Sequence, residues 1–489
     1  MGARSASRVA TVETWTDRAT VACIGAFGLA VWWPTRTLPY HWDSATFVVD
    51  AARDLIATGF HPLVATHSDF AHPPLFVALV ALAWSALGES RAVAHALVLP
   101  ALPLAMLATY RLGIKVSDRA VGAAAAFLLG GVAVVLEEVG QIYMDLPIAA
   151  LLAWGVLAWL NDRRGWAAAL FSAAALMKIP APLTVPGALM LVVAASPKTR
   201  KDLRAYLALA APFGVDALWL AYHAAETGWV LWRPGRSVPA PHGVMDRLMA
   251  LATVVQWLLL GQWRWVLLVA AAAAAALTRP WRPWRPGGDL SLLLAPVAAG
   301  VLFFAAIGEF GLRYGIYLLP LYFVACLSLV RAALGRHGGA WLGAGSAALF
   351  ALFATTWHPN AALTASYVFR PDENLAYLDM ITIGQKSARW LESKHPDAEI
   401  YGAGPEAYEL AEPWQGYVTR PLKFAHCLDF APHPGAEQLV IVHGYHPQQP
   451  LCRRIVDATG ARVLARFEDD GKWLEVYAVP AFDRGADGR

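Results

Sequence analysis

The sequence predicts a multi-pass α-helical membrane protein that ends in a small α/β domain. Three observations carry this. Charged residues make up only 15% of the 489 residues and hydrophobic ones 57%, with a mean hydropathy of +0.45, whereas soluble domains carry about 25% charge. The apolar residues are gathered into runs near membrane-spanning length, and only helices that satisfy their own backbone cross hydrocarbon in this way. Those runs stop near Trp357, beyond which the chain is polar and alternating. The net charge of +3 is too small to imply a nucleic-acid partner.

Apolar runs occur near 19–35, 91–112, 119–137, 145–160, 166–178, 180–196, 203–224, 263–278, 289–308, 313–333 and 340–357, with two further stretches at 74–88 and 246–262. Lys and Arg arbitrate between topologies, because they accumulate in cytoplasmic loops. The clusters Arg4/Arg8/Arg18, Arg111/Lys115/Arg119, Arg163/Arg164, Lys198/Arg200/Lys201/Arg204, Arg279/Arg282/Arg285 and Arg331/Arg336 share one side only if 74–88 and 246–262 do not cross. Those two are expected to be interfacial or re-entrant helices on the outer side. About eleven spans follow, with the N-terminus inside and the C-terminus outside. The first run lacks a small-residue cleavage site and reads as a retained signal anchor.

The domain division is therefore 1–357, transmembrane, with a first outer loop at 36–90, and 358–489, extracytoplasmic. In the second part ENLAYLDMITIGQKSARWLESK has helical spacing. AEIYG, QLVIVHG, ARVLARFED and KWLEVYAV read as strands, and Leu451–Thr459 as a helix between two of them. Alternating helices and strands imply an α/β layer structure. Cys427 and Cys452 lie in this region and can pair if it faces an oxidising exterior, whereas Cys23 and Cys326 sit in apolar helices as packing residues.

The chemistry concentrates in the first outer loop. It holds Asp43, Asp50, Asp54 and Asp69 together with His41, His61, His67 and His72, and ionisable groups beside a bilayer are costly unless a site uses them. Asp50, Arg53 and Asp54 share a polar face of a helix expected at 44–58. The same topology brings Glu137, Glu138, Asp145, Lys178, Glu309 and Arg313 to the outer side. Such a set suits group transfer from an anionic lipid: a carboxylate deprotonates the acceptor hydroxyl, and cations neutralise the phosphate that leaves.

WDSATFVVDAARDLIATG, HPPL, LGESRAVAHAL, YMDLP, ALMKIPAPLTVP and RYGIYLLPLY occur in that order across residues 20–330. Together they resemble the GT-C superfamily of polyprenyl-phosphate-sugar-dependent glycosyltransferases, in particular the bacterial relatives of protein O-mannosyltransferases and of the aminoarabinose transferase that modifies lipid A. The resemblance implies an inverting transferase of the bacterial inner membrane with an extracytoplasmic active site. Its donor would be a polyprenyl-phosphate-linked sugar and its acceptor a lipid, glycan or protein. Asp43 resembles the family's first-loop aspartate, the general base, and Asp145 its second-loop acidic residue, which shapes the site or holds a divalent metal such as Mg or Mn. His72, Lys178 and Arg313 stand at donor-phosphate positions, and Glu138, His41 and Tyr143 are further site candidates. Ser44 stands where a second acidic residue commonly follows the first Asp. That departure keeps a non-catalytic assembly protein as one rival reading. The other is a transporter of lipid-linked saccharide, for which Asp216 in the seventh span is the best midplane candidate.

Overall fold

The computed structural model describes residues 2–62, 72–230, 243–278, 288–308, 312–335, 338–358, 374–403, 406–433, 435–444 and 449–480. His67, Asp69 and Glu309 lie outside the described residues. The chain forms two compact units: 1–36, 51–88 and 93–356 make the first, and 37–50, 89–92 and 357–489 the second.

The first unit is helical. Among the described residues, Arg91–Val116, Leu203–Thr227, Asp289–Ile307 and Arg313–Leu334 are long and apolar enough to cross a membrane. The number rises to six if each of two bent pairs is one span: Arg119–Gly130 with Ala133–Gly140, bent by 61°, and Val244–Leu260 with Arg264–Leu277, bent by 86°. Leu75–Leu87, Asp145–Leu160, Ala181–Ala195 and Gly338–Ala354 are apolar but shorter. Leu75–Leu87 is about 20 Å long at 1.5 Å per residue, less than the roughly 30 Å hydrocarbon core. The stretch at 246–262, expected to be an interfacial or re-entrant helix, is one arm of the second bent pair.

The 86° bend has a local cause. Gly261 is followed by Gln262 and Trp263 with φ of 50° and 66°, which ends the helix. The orphaned carbonyls of its last turn then need donors, and none come from lipid. Arg264, fully buried, supplies them: its Nε donates to Leu258 O at 2.8 Å, Nη2 donates to Trp257 O, and Nη1 reaches Gln262 Oε1 at 3.0 Å. Tyr322 donates its hydroxyl to Leu259 O and Arg264 O at 3.2 and 3.1 Å. A buried arginine is tolerable here because its donors meet the helix's unsatisfied acceptors.

Helix contacts elsewhere are close. A side chain at Gly113 would collide with the backbone of Gly122, and one at Gly122 with Tyr110 O. Small residues thus let helices 101–116 and 119–130 meet backbone to backbone. The turn between them is capped by Asp118, which accepts from Val121 N at 3.0 Å and pairs with Arg331 Nε at 2.7 Å. Arg119 pairs with Asp17 at 3.0 Å, and Arg164 with Asp202. Arg119 and Arg331, read from sequence as sharing one side, are thereby linked through the adjacent Asp17 and Asp118.

The second unit contains a five-stranded sheet of order β2-β1-β3-β5-β4. Its strands are β1 (Glu399–Gly402), β2 (Lys423–His426), β3 (Gln438–His443), β4 (Arg462–Asp469) and β5 (Lys472–Ala478). β1 runs parallel to β2 and β3, while β5 is antiparallel to β3 and β4. Along β3 Leu439 and Ile441 enter one core with Ile383, Ala388 and Leu391 of the helix Tyr377–Lys394. Val440 and Val442 enter another with Cys452 and Val456 of the helix Gln449–Thr459. Period-two alternation therefore builds a sheet covered on both faces. Cys427 and Cys452 are joined in a disulfide with Cα atoms 5.5 Å apart. The short β2 was not expected from the sequence.

Candidate functional site

In the first unit the charged residues picked from sequence converge. Helix Ala133–Gly140 is buried throughout and carries Glu137 and Glu138. The chain then turns through Tyr143 into Asp145, the first residue of the helix Asp145–Leu160. Glu138 Oε2 accepts from Leu146 N at 3.2 Å, which ties the two helices and uses a first-turn amide as donor. Lys178 lies between the helices 164–175 and 181–195, and its Nζ is 2.6 Å from Asp145 Oδ1. The pair is well buried, with side-chain exposures of 15% and 8%.

Arg313 arrives on the 3₁₀ turn Leu312–Leu318 and is itself 3% exposed. Its guanidinium lies 4.7 Å from the centre of the Tyr143 ring and 5.0 Å from that of Tyr314, whose hydroxyl accepts from Nη2 at 3.3 Å. Lys178 Nζ sits 4.2 Å from the same Tyr314 ring. Two cations thus share one aromatic ring, an arrangement that attracts each to the ring and both to an anion. Asp145, Arg313 and Lys178 all act electrostatically on the buried Glu138. The His72 segment adjoins this group through the chain: Leu75 N donates to Leu176 O at 3.1 Å, three residues after His72 and two before Lys178.

Asp43 belongs to the second unit. It precedes a π-helical turn, Ser44–Val48, which continues as the α-helix Val49–Ala57, so the single helix expected at 44–58 is two joined pieces. His41 is buried, with Nδ1 3.4 Å from Glu409 Oε1 and its ring stacked on Tyr377. Tyr40 also lines a cavity of about 400 Å³ with Glu89, Arg91 and Trp414. Tyr314, Glu409 and Gln415 were missed by sequence reasoning. Only Tyr314 had a signal, as the neighbour of Arg313 in the RYGIY motif.

Among the described residues one group of side chains is spaced to hold a divalent ion, and it lies in the second unit. The group is His358, Asp379 and Asp470, and Lys472 Nζ also stands 2.8 Å from Asp379 Oδ2 and 3.7 Å from Asp470 Oδ2. At Asp145 one carboxylate oxygen is already taken by Lys178.

No protein-family model and no curated protein matches the sequence. Solved structures do match. The crystal structure of ArnT from Cupriavidus metallidurans in the apo state superposes with a TM-score of 0.58 at 13% identity, covering 95% of this chain and 98% of that one. The same protein bound to undecaprenyl phosphate superposes with a TM-score of 0.54 at 13% identity, over 93% of this chain and 97% of that one. The chain shares the fold of these two structures. At this identity the likeness concerns architecture: a multi-pass helical membrane part and a small C-terminal sheet, both present here. A shared fold does not assign chemistry to any residue.

Proposed function

We propose that the protein is a membrane glycosyltransferase that moves a sugar from a polyprenyl-phosphate donor to a hydroxyl acceptor on the outer face of a bacterial inner membrane. The observation that carries this is the pair of cations, half-buried Lys178 and buried Arg313, on the Tyr314 ring beside Asp145 and Glu138. Cations at helix ends suit a phosphate that carries a lipid tail. In this reading Lys178 and Arg313 bind the donor phosphate, with His72 as a further contact, and Asp145 orients the Lys178 ammonium. Tyr143 and Glu138 hold Arg313 and the turn at Asp145 in place.

The reaction is one inverting displacement. The acceptor oxygen attacks the anomeric carbon, the bond from that carbon to the phosphate oxygen breaks, and the polyprenyl phosphate leaves with the electron pair. Asp43 takes the acceptor's proton. The cations stabilise the charge that develops on the departing phosphate. The fold shared with ArnT, whose structure was solved with undecaprenyl phosphate bound, supports a donor of this class.

The test uses purified protein, a panel of undecaprenyl-phosphate-linked radiolabelled sugars and a membrane extract. Transfer of label with release of undecaprenyl phosphate supports the reading. Movement of intact labelled donor across proteoliposomes, with no bond broken, would replace it with a transporter.

A further inference from the structure

The turn that carries Asp43 is held in an unfavourable backbone conformation by the C-terminal part of its own unit. Trp42 has φ of 51°, in the left-handed region that a bulky side chain avoids. It is followed at once by the π-helical turn Ser44–Val48, a form that is rare and concentrates at functional sites. Asp43 occupies the N-cap position and makes no side-chain capping hydrogen bond. Ser44 N donates to His41 O at 3.1 Å, and Ala45 N and Thr46 N both donate to Trp42 O at 3.0 Å.

Such a conformation persists only where surrounding structure over-determines it. Here the restraint comes from residues 409–415. Gln415, fully buried, accepts from Tyr40 N through its backbone oxygen at 3.2 Å and donates from Nε2 to Ala45 O at 3.2 Å. It thus grips the turn on both sides of Asp43. Glu409 Oε1 lies 3.4 Å from His41 Nδ1, and Tyr377 stacks on the His41 ring. Tyr40, His41 and Ala45, on both sides of Asp43, are thus held by residues from outside the turn.

We propose that Glu409 and Gln415 are positioning residues that hold the His41–Ala45 turn and so aim the Asp43 carboxylate. This rests on Asp43 being the base in the proposed transfer. The C-terminal domain then contributes directly to turnover, because its 409–415 segment completes the geometry of a residue encoded near the opposite end of the chain. A misplacement of about 1 Å costs on the order of 10²-fold in rate, so the grip is expected to matter for turnover far more than for binding.

The experiment compares full-length wild type, Gln415→Glu, Glu409→Gln and Asp43→Asn in detergent. Gln415→Glu keeps the shape but removes the donor to Ala45 O; Glu409→Gln keeps the size but removes the charge facing His41. Hydrogen–deuterium exchange is read at the amides of 44–48 and, as a control, at β3. Turnover and donor KM are measured with the undecaprenyl-phosphate sugar that wild type accepts. In Gln415→Glu the 44–48 amides should exchange about tenfold faster with β3 unchanged, and turnover should fall about 10²-fold at constant donor KM. Glu409→Gln should move both in the same direction. Unchanged exchange at 44–48 in both variants overturns the proposal, and so does accelerated exchange that spreads equally into β3, which marks a general loss of packing. Wild-type turnover in Asp43→Asn strikes the base assignment. An inactive Asp43→Asn beside an unaltered Gln415→Glu strikes the positioning role alone.

Discussion

Lys178 Nζ lies 2.6 Å from Asp145 Oδ1, the two residues being 33 positions apart in sequence. Asp145 is buried and Lys178 half-buried, and removing one member of a buried pair leaves the other charge uncompensated. Lys178→Ala alone is therefore expected to lower thermal stability more than Lys178→Ala combined with Asp145→Asn. Melting curves of the two variants in detergent check this; a double variant no more stable than Lys178→Ala would show that the Asp145 charge left behind costs nothing. For the donor, Lys178→Ala and Arg313→Ala should each raise the apparent donor KM about 10–100-fold, the equivalent of ~1.5–3 kcal/mol for a charged hydrogen bond. Acceptor KM should stay nearly constant.

Asp43→Asn should reduce transfer by about 10²–10⁴-fold, the usual cost of losing a general base, while the protein remains folded and inserted. Turnover close to wild type would remove Asp43 from the mechanism.

Arg264→Met should destabilise the membrane unit. The carbonyls of Leu258 and Trp257 would lose their donor, at about 1–3 kcal/mol for each group left unpaired. The expected result is a lower melting temperature with donor KM unchanged among the molecules that stay folded. A variant as stable as wild type would mean that other donors reach those carbonyls.

Acid should weaken the C-terminal sheet. The His433 ring, 2.6 Å from Glu399 Oε2, holds the Glu399 carboxyl below its ordinary range. Burial pushes Glu475 up, but the Tyr477 hydroxyl and Arg466 guanidinium bonded to it more than offset this and leave it lowered. Both folded-state values lie below the unfolded one, about 4.3 for Glu. The stabilisation they give is thus present above that pH and is lost as pH falls through the lowered values. Melting temperature should hold near neutrality and decline below roughly pH 4, with a shallower decline in His433→Gln.

The disulfide closes a loop with a sequence separation of 25. In the chain-entropy account this stabilises the folded domain by about 3 kcal/mol. Cys452→Ala should lower the melting temperature of the C-terminal unit. In wild type a maleimide should reach Cys427 and Cys452 only after reduction; labelling of both without reductant would argue against the bond.

Much of the helical part was legible because burial in lipid imposes long apolar runs: the run at 145–160 coincides with the helix Asp145–Leu160. What was not legible depends on contacts that local pattern does not encode. β2 is only KFAH, four residues with Lys423 and His426 at its ends and no clear apolar period. Arg264 gave no sign of capping a bend, since an arginine beside an apolar run looks like any loop cation. At the site, motif order picked out Asp145, Lys178 and Arg313 singly, but only the fold shows that Lys178 and Arg313 share Tyr314. Gln415 was invisible because its partner Ala45 is 370 residues away.

That separation sets an order of events during synthesis. A chain made at about 5–20 residues per second emits Ala45 on the order of 20–70 s before Gln415. Through that interval the membrane helices can insert and pack, yet the Trp42 turn has nothing to hold it. The same delay means that a product cut short before residue 409 lacks the grip altogether, whatever the state of its helices. If aim depends on that grip, the Asp43 turn stays unset until the chain has grown past Gln415, some 370 residues after Ala45.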